Sequence, residues 1–201
     1  PFAEIKGDID NARKEAVFEA LKRVTGIDIE FKDIKGGAKG YYSAVKNQIV
    51  IKSGMSDMQT LKTAFHEVAH NLLHDPSKKI VTAKSPRNEK EVQAESVAFI
   101  VAERFGMDTS EYSFPYIATW SSGKQLEQLK NALQEIQMAA KKISSEIESE
   151  LLKLQKRGLS IQEKLDDNEL NNIQKAEFLI ENCSDRGVQF NIEDTKKILD
   201  F

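Results

Sequence analysis

The stretch from Thr63 to Pro76, TAFHEVAHNLLHDP, constrains the fold of this chain more than any other. His66 and His70 are four residues apart, so on an α-helix both imidazoles project from one face. Glu67 directly follows the first histidine. In this H-E-x-x-H arrangement two neutral histidines bind zinc and the glutamate acts as general base. The spacing therefore demands a helix here and predicts a metal site on it.

The flanking residues support a helix over this stretch. Ser56 and Gln59 have the spacing of a capping box, which marks a helix start. Apolar residues then recur at helical spacing over a face wide enough for a buried helix. They are Leu61, Ala64, Phe65, Val68, Ala69, Leu72 and Leu73. Asp75-Pro76 ends the helix, because proline cannot continue the hydrogen-bond ladder and disfavours helical geometry in the residue before it.

A zinc site of this kind needs a third protein ligand, and the next predicted helix carries two candidates. That helix starts near Pro86, and its Glu91 and Glu95 are again four residues apart on one face. We predict Glu91 as the ligand and Glu95 as the partner that accepts the outer N–H of a histidine. The reverse assignment stays open, as does a role for Glu89. Without the histidines, these glutamates would read as a solvated charged stripe.

His74 lies one more turn along the helix but cannot join the same site. Positions eight apart are rotated by about 80° and separated by about 12 Å along a straight helix. The three-histidine zinc proteases use H-E-x-x-H-x-x-G-x-x-H, whereas Leu73 and Pro76 occupy the glycine and last histidine positions here. We exclude that class and predict that His74 lies near the helix C-terminus, where a positive charge is favourable.

The chain before the motif helix predicts an α+β fold. Residues 8–24 read as an amphipathic helix and 27–31 as a short strand. Residues 41–45 and 48–52 read as a β-hairpin. We therefore expect a small antiparallel sheet packed on a zincin-like helical core, which the H-E-x-x-H helix and the glutamate helix form.

The second half of the chain reads as helical. A long helix with apolar residues at alternating spacings of three and four is predicted to end near residue 157. We divide the chain into a metallopeptidase-like domain (1–125), this long amphipathic helix (126–157) and a helical appendage of unknown role (158–201). The long helix could serve partner binding or self-association.

Composition excludes several classes of function. The net charge of −3 gives no electrostatic case for direct nucleic-acid binding and little for membrane surfaces. Cys183 is the only cysteine, which excludes a disulfide framework and a cysteine zinc site. No apolar run approaches the roughly 18–20 residues of a membrane span. We expect a cytoplasmic setting, and a fragment of a longer protein because the chain begins at Pro1.

The motifs taken together resemble a known group of proteins. The segments GYYS (40–43), QIVI (48–51), HEVAH (66–70), EVQAE (91–95) and WSSG (120–123) carry the likeness. They resemble the zinc metallopeptidase-like domain of ArdC-type antirestriction and LtrC-like proteins of plasmids and conjugative elements, which is related to the ImmA/IrrE metallopeptidases. The resemblance covers about residues 4–135. ArdC-type proteins also carry an N-terminal DNA-binding domain, which nothing in this chain matches.

The resemblance implies a thermolysin-like minimal fold with one zinc per chain, held by His66, His70 and a glutamate matching Glu91. It also implies that Glu67 is the catalytic base and that Glu95 supports a histidine. We expect a protein or peptide substrate, and an oxyanion or substrate contact from a second acid or from one of three tyrosines. These are Tyr41, Tyr42 and Tyr116. The alternative is a non-proteolytic, zinc-stabilised antirestriction or protein-interaction module.

Overall fold

The computed structural model describes residues 7, 9–78, 86–109 and 126–166, with side chains described only for 131–158 in the last segment. The elements in these residues are α1 (Asn11–Thr25), β1 (Ile29–Lys32), β2 (Gly40–Ser43), β3 (Gln48–Lys52), α2 (Asp57–His74), α3 (Arg87–Arg104) and α4 (Leu126–Asp166). The predicted α+β class is confirmed. None of the described helices combines the length and the apolar character needed to cross a membrane.

The helix boundaries follow from local hydrogen bonds. The side chain of Asp10 accepts from the backbone N–H of Arg13 and caps α1. Gly26 closes the same helix with a φ of 73°, a conformation that glycine adopts at no steric cost. Ser56 caps α2 by accepting from the backbone N–H of Gln59, as predicted. Local chemistry therefore sets where the motif helix begins.

The three strands form one mixed sheet in the order β1-β3-β2. β2 and β3 pair antiparallel, with Tyr42 opposite Ile49, so the predicted hairpin is confirmed. β1 pairs parallel with β3, with Ile29 opposite the same residue, which corrects the expectation of an antiparallel sheet. The connection at 33–39 is too long for a tight turn and places β2 two strand spacings from β1. The β2–β3 hairpin then places β3 between β1 and β2.

Helix α2 is central to the packing. It contacts α1, α3 and the strands β2 and β3. Almost all of its side chains are buried, including the polar side chains of Gln59, Lys62 and Asn71. The core around it is apolar and draws on every helix. Its fully buried members include Leu21, Ile49, Ile51, Phe65, Val68, Val97, Ile143 and Ile147.

Helix α4 runs to Asp166, past the end predicted near residue 157. It crosses the division between two compact units, Pro1–Leu151 and Leu152–Phe201. Within the first unit, Arg23 pairs with Glu150 at 3.0 Å and Arg104 pairs with Glu148 at 2.6 Å. These ion pairs tie α4 to α1 and α3. The three-part division of the chain stays a prediction, and the part of the predicted helical appendage beyond residue 166 lies outside the described residues.

Gly40 allows β2 to approach α2 closely. A Cβ atom at this position would lie 2.8 Å from Cγ2 of Thr63 and 3.0 Å from the carbonyl oxygen of Val50. Both separations are shorter than ordinary van der Waals contact. The sheet edge therefore lies against the motif helix only because residue 40 has no side chain.

We predict that Gly40→Ala lowers the free energy of unfolding by about 1–3 kcal/mol, because the added methyl overpacks the contact with Thr63. Adding Thr63→Ser removes Cγ2 but keeps the hydroxyl that donates to the backbone carbonyl of Gln59 at 2.8 Å. The double variant should therefore recover part of the loss in urea denaturation. If the two substitutions have simply additive effects, this steric explanation is wrong.

Candidate metal centre

Helices α2 and α3 bring together three side chains that are far apart in the sequence. Potential ligand atoms of His66, His70 and Glu91 all lie within 4.8 Å of one another. The two Nε2 atoms of the histidines are 3.1 Å apart. Oε2 of Glu91 lies 3.4 Å from Nε2 of His66 and 3.6 Å from Nε2 of His70. The three atoms thus form a nearly equilateral triangle.

This triangle fits a zinc ion. Zinc binds imidazole nitrogen and carboxylate oxygen at about 2.0–2.2 Å in tetrahedral geometry, which places neighbouring ligand atoms about 3.3 Å apart. The three separations above lie close to that value. Two histidines and one glutamate are also a donor set used by catalytic zinc sites, which keep a fourth position for water. The predicted ligand set is therefore sterically and chemically suited to the metal.

Glu95 contacts the ring nitrogen of His66 that faces away from the ligand triangle. Its Oε2 accepts from Nδ1 of His66 at 3.1 Å and from Nζ of Lys62 at 2.7 Å. Since an ionised carboxylate can only accept, His66 carries a proton on Nδ1, and Nε2 is the atom that faces Glu91 and is left for a metal. This is the geometry expected of the predicted histidine partner, and it supports Glu91 over Glu95 as the ligand.

The charges around His66 favour a cation at this point. Burial alone would lower the pKa of His66, but hydrogen bonds with Glu91 and Glu95 outweigh it and raise the pKa to about 9. Hydrogen bonds from His66 and His70 hold the pKa of Glu91 well below its usual range. A metal must displace the proton from His66, so metal affinity should fall as the pH falls.

The second histidine contacts His74. Nδ1 of His70 lies 2.9 Å from Nδ1 of His74, whose Nε2 lies 3.0 Å from Oε1 of Gln93. His74 is buried, and this burial lowers its pKa to about 4. His74 is the last residue of α2, as predicted. Its burial beside Gln93 of α3 disfavours the positive charge that an open helix C-terminus would favour.

Glu67 faces the cleft beside the ligand triangle and is 7% exposed. Burial raises the pKa of its carboxyl group, while the neighbouring charges of His66 and His70 and a hydrogen bond from the backbone N–H of Tyr42 oppose the rise. A carboxylate whose pKa is moved toward neutrality is well matched to accept and return a proton. Its position after His66 is that of the base in H-E-x-x-H sites.

An open cleft of about 1040 Å³ lies over this cluster. β2 and the loop before it line one part, and α2 and α3 line the rest. Tyr41 and Tyr42 both line the cleft, and the hydroxyl of Tyr42 donates to Asp75 at 2.8 Å. Burial, followed by the hydrogen bond to Asp75, raises the pKa of Tyr42 to about 12. Tyr116 lies outside the described residues.

Sequence reasoning missed two residues around the ligands, Lys62 and Gln93. Lys62 stands four residues before His66 and so shares its helix face, which is a signal in retrospect. A lysine among the apolar positions of a buried helix needs an acidic partner. Gln93, between the two glutamates of α3, offered no comparable signal, because its role depends on which residue the fold places opposite it.

Comparison with known proteins agrees with this architecture. Residues 23–116 match a family model, Peptidase_M78, described as the IrrE N-terminal-like domain. The matched segment includes both motif helices and the whole sheet. Residues 23–116 are therefore similar to a domain of the IrrE N-terminal type, which agrees with the resemblance of the motifs.

Two individual proteins are also similar. An uncharacterized protein of Bacillus anthracis is 32% identical over 142 residues, which are 64% of this chain and 24% of that protein. The metal-free crystal structure of the antirestriction protein ArdC from plasmid R388 has a TM-score of 0.49 and 21% sequence identity. That alignment covers 72% of this chain and 54% of the ArdC chain. The chain thus spans about a quarter of its curated relative and about half of the ArdC chain.

We predict that Lys62→Met lowers the free energy of unfolding by about 3–5 kcal/mol, because it removes the buried ammonium group that pairs with the Glu95 carboxylate. The side chains of this pair are 4% and 3% exposed. The double variant Lys62→Met/Glu95→Gln should recover most of the loss in urea denaturation without added metal.

Lys39→Met is the matched control, since Lys39 lines the same cleft and donates to the neutral Oε1 of Gln59 at 2.7 Å. It should cost only about 1 kcal/mol. An equal cost for the two lysine variants would contradict the importance assigned to the Lys62–Glu95 pair.

Proposed function

We propose that this domain is a zinc-dependent metallopeptidase that hydrolyses peptide bonds of a protein substrate. The observation that carries the proposal is the buried carboxylate of Glu67 beside a ligand triangle of tetrahedral dimensions, at an open cleft. His66, His70 and Glu91 would hold the ion. When bound, zinc supplies Lewis acidity, which polarises a carbonyl group and acidifies a water.

In this proposal Glu67 moves the proton. Its carboxylate accepts a proton from the attacking water and returns it to the leaving amine, so that the chain ends the cycle in its starting state. The backbone N–H of Tyr42 donates to this carboxylate and keeps it oriented toward the cleft. Burial keeps the pKa of Glu67 above its usual value, which makes its carboxylate a stronger base toward the attacking water.

The edge strand β2 is the proposed binding site for the substrate backbone. Among the described strands β2 pairs only with β3, and it lines the cleft, so its other edge can accept a peptide as an additional strand. The oxyanion contact is assigned to a cleft tyrosine. Tyr41 is favoured over Tyr42, because the hydroxyl of Tyr42 already donates to Asp75. We place the domain in the cytoplasm and, following its motifs, on a plasmid or conjugative element.

A second candidate function is a non-proteolytic, zinc-stabilised antirestriction or protein-interaction module. Helix α4 favours it, because this helix exposes large apolar side chains as well as charges. Leu133 is 44% exposed, Met138 57% and Leu152 53%. In this case the metal would hold α2 and α3 together, and Glu67 would have no chemical role.

The first test is the metal content of the purified chain by elemental analysis. We expect about one zinc per chain, because the three ligand atoms form a single site. His66→Ala and Glu91→Ala should each lose the metal on dialysis, whereas Glu89→Ala should retain it. Retention in Glu91→Ala with loss in Glu95→Ala would reverse the assignment of the two glutamates. Absence of zinc from the wild-type chain, even after incubation with zinc, would overturn the proposal.

The second test separates the two candidate functions. Glu67→Gln keeps the shape of the side chain and leaves the three ligands in place, so the zinc content should be unchanged. Cleavage of a mixture of internally quenched fluorescent peptides should fall at least about 100-fold, because general base catalysis is worth roughly 10²–10⁴-fold. If wild type and variant behave alike in the cell while neither cleaves peptides, the interaction module is the better description.

A further inference from the structure

We propose that Gln93 and Glu135 are positioning residues for the metal ligand His70, and that they act through His74. The inference rests on the proposed metal site, whose three ligands all lie on α2 and α3. It adds a contribution from α4, which carries none of those ligands. The evidence is a continuous line of hydrogen bonds that starts at His70 and ends at Glu135.

Neighbouring side chains in this line lie within hydrogen-bonding distance of one another. Nδ1 of His70 lies 2.9 Å from Nδ1 of His74, and Nε2 of His74 lies 3.0 Å from Oε1 of Gln93. Nε2 of Gln93 then donates to Oε2 of Glu135 at 3.3 Å. His74 is 8% exposed and Gln93 is 3% exposed. Water therefore competes little for the central links, and buried hydrogen bonds of this kind restrain their partners strongly.

The donor and the acceptor of each hydrogen bond in this line follow from its last residue, Glu135. The Glu135 carboxylate can only accept, so the amide nitrogen of Gln93 must point to it. The amide oxygen of Gln93 then faces His74 and must accept from Nε2–H. This leaves Nδ1 of His74 without a proton, and it accepts from Nδ1–H of His70. The remaining nitrogen of His70, Nε2, lies in the ligand triangle and is the atom left for a metal.

The two proposed histidine ligands thus donate hydrogen bonds to different kinds of side chain. His66 donates directly to Glu95, a carboxylate that a buried lysine neutralises. His70 donates to another imidazole, which has two tautomers and would not by itself select one for its neighbour. Gln93 and Glu135 remove that ambiguity. The same line of bonds makes the orientation of His70 depend on where α4 places Glu135.

The test compares four single variants. Gln93→Leu removes both amide contacts at similar volume, and Glu135→Ala removes the terminal acceptor. Glu135→Gln is the conservative variant, because an amide oxygen can still accept from Gln93. Glu148→Ala is the matched control on the same helix, since it breaks an exposed ion pair with Arg104 and touches none of the line.

The first readout is the dissociation constant for Zn²⁺, measured by competition with a chromophoric chelator at fixed pH. Gln93→Leu and Glu135→Ala should weaken binding about 10–100-fold, the usual effect of losing a partner behind a ligand. Glu135→Gln and Glu148→Ala should stay at the wild-type value. Unchanged affinity in both Gln93→Leu and Glu135→Ala, with the fold intact by circular dichroism, would overturn the proposal.

The second readout is the tautomer of His70 in the zinc-free protein, from ¹⁵N chemical shifts of its ring nitrogens. Wild type and Glu135→Gln should carry the proton on Nδ1, whereas Gln93→Leu and Glu135→Ala should show a mixture. A merely structural role for Gln93 would leave the tautomer unchanged and so contradict the proposal. If Gln93→Leu does not fold, Glu135→Ala decides, because Glu135 lies at the more exposed end of the line.

These readouts separate failure of this inference from failure of the proposed function. A wild-type chain that binds no zinc would overturn the metal site, while the tautomer measurement would still report on the line of bonds. A chain that binds zinc but cleaves no peptide would leave this inference intact, since neither readout uses catalysis.

Discussion

The buried ion pair between Lys62 and Glu95 joins helices α2 and α3, and the geometry of the candidate metal centre depends on it. A charge buried without its partner is very unfavourable, so the two helices can pack only in the register that brings these side chains together. Glu95 also accepts from His66. One turn before Glu95 on α3, Glu91 then lies opposite both histidines. The register that satisfies the lysine is therefore the register that assembles the ligands.

Both histidines need a second restraint, because an imidazole can rotate and can carry its proton on either nitrogen. Glu95 restrains His66 directly, whereas His74 restrains His70. In each ring the outer nitrogen is occupied, so the inner one is left for a metal. Burial of these side chains also explains why His74 is neutral, which it must be in order to accept a hydrogen bond. Ligand geometry and side-chain burial are thus two results of the same packing.

The cleft depends on the contact between the sheet edge and α2. The absence of a side chain at Gly40 brings β2 against Thr63, and the backbone N–H of Tyr42 then reaches Glu67. The strand proposed to bind the substrate backbone is therefore the strand that orients the proposed base. In the proposed function, this single close approach would couple substrate binding to proton transfer, although the two parts come from different elements of the fold.

The sequence by itself determined the local features, because these depend on residues a few positions apart. The cap at Ser56, the hairpin and the shared face of His66 and His70 follow from helix and strand periodicity alone. The tertiary structure decided the parallel pairing of β1, the role of Lys62 and the neutral state of His74. Lys62 and Glu95 are 33 positions apart, and Gln93 and Glu135 are 42 apart. No local rule pairs such residues, since their partners and their exposure to water exist only once the helices have packed.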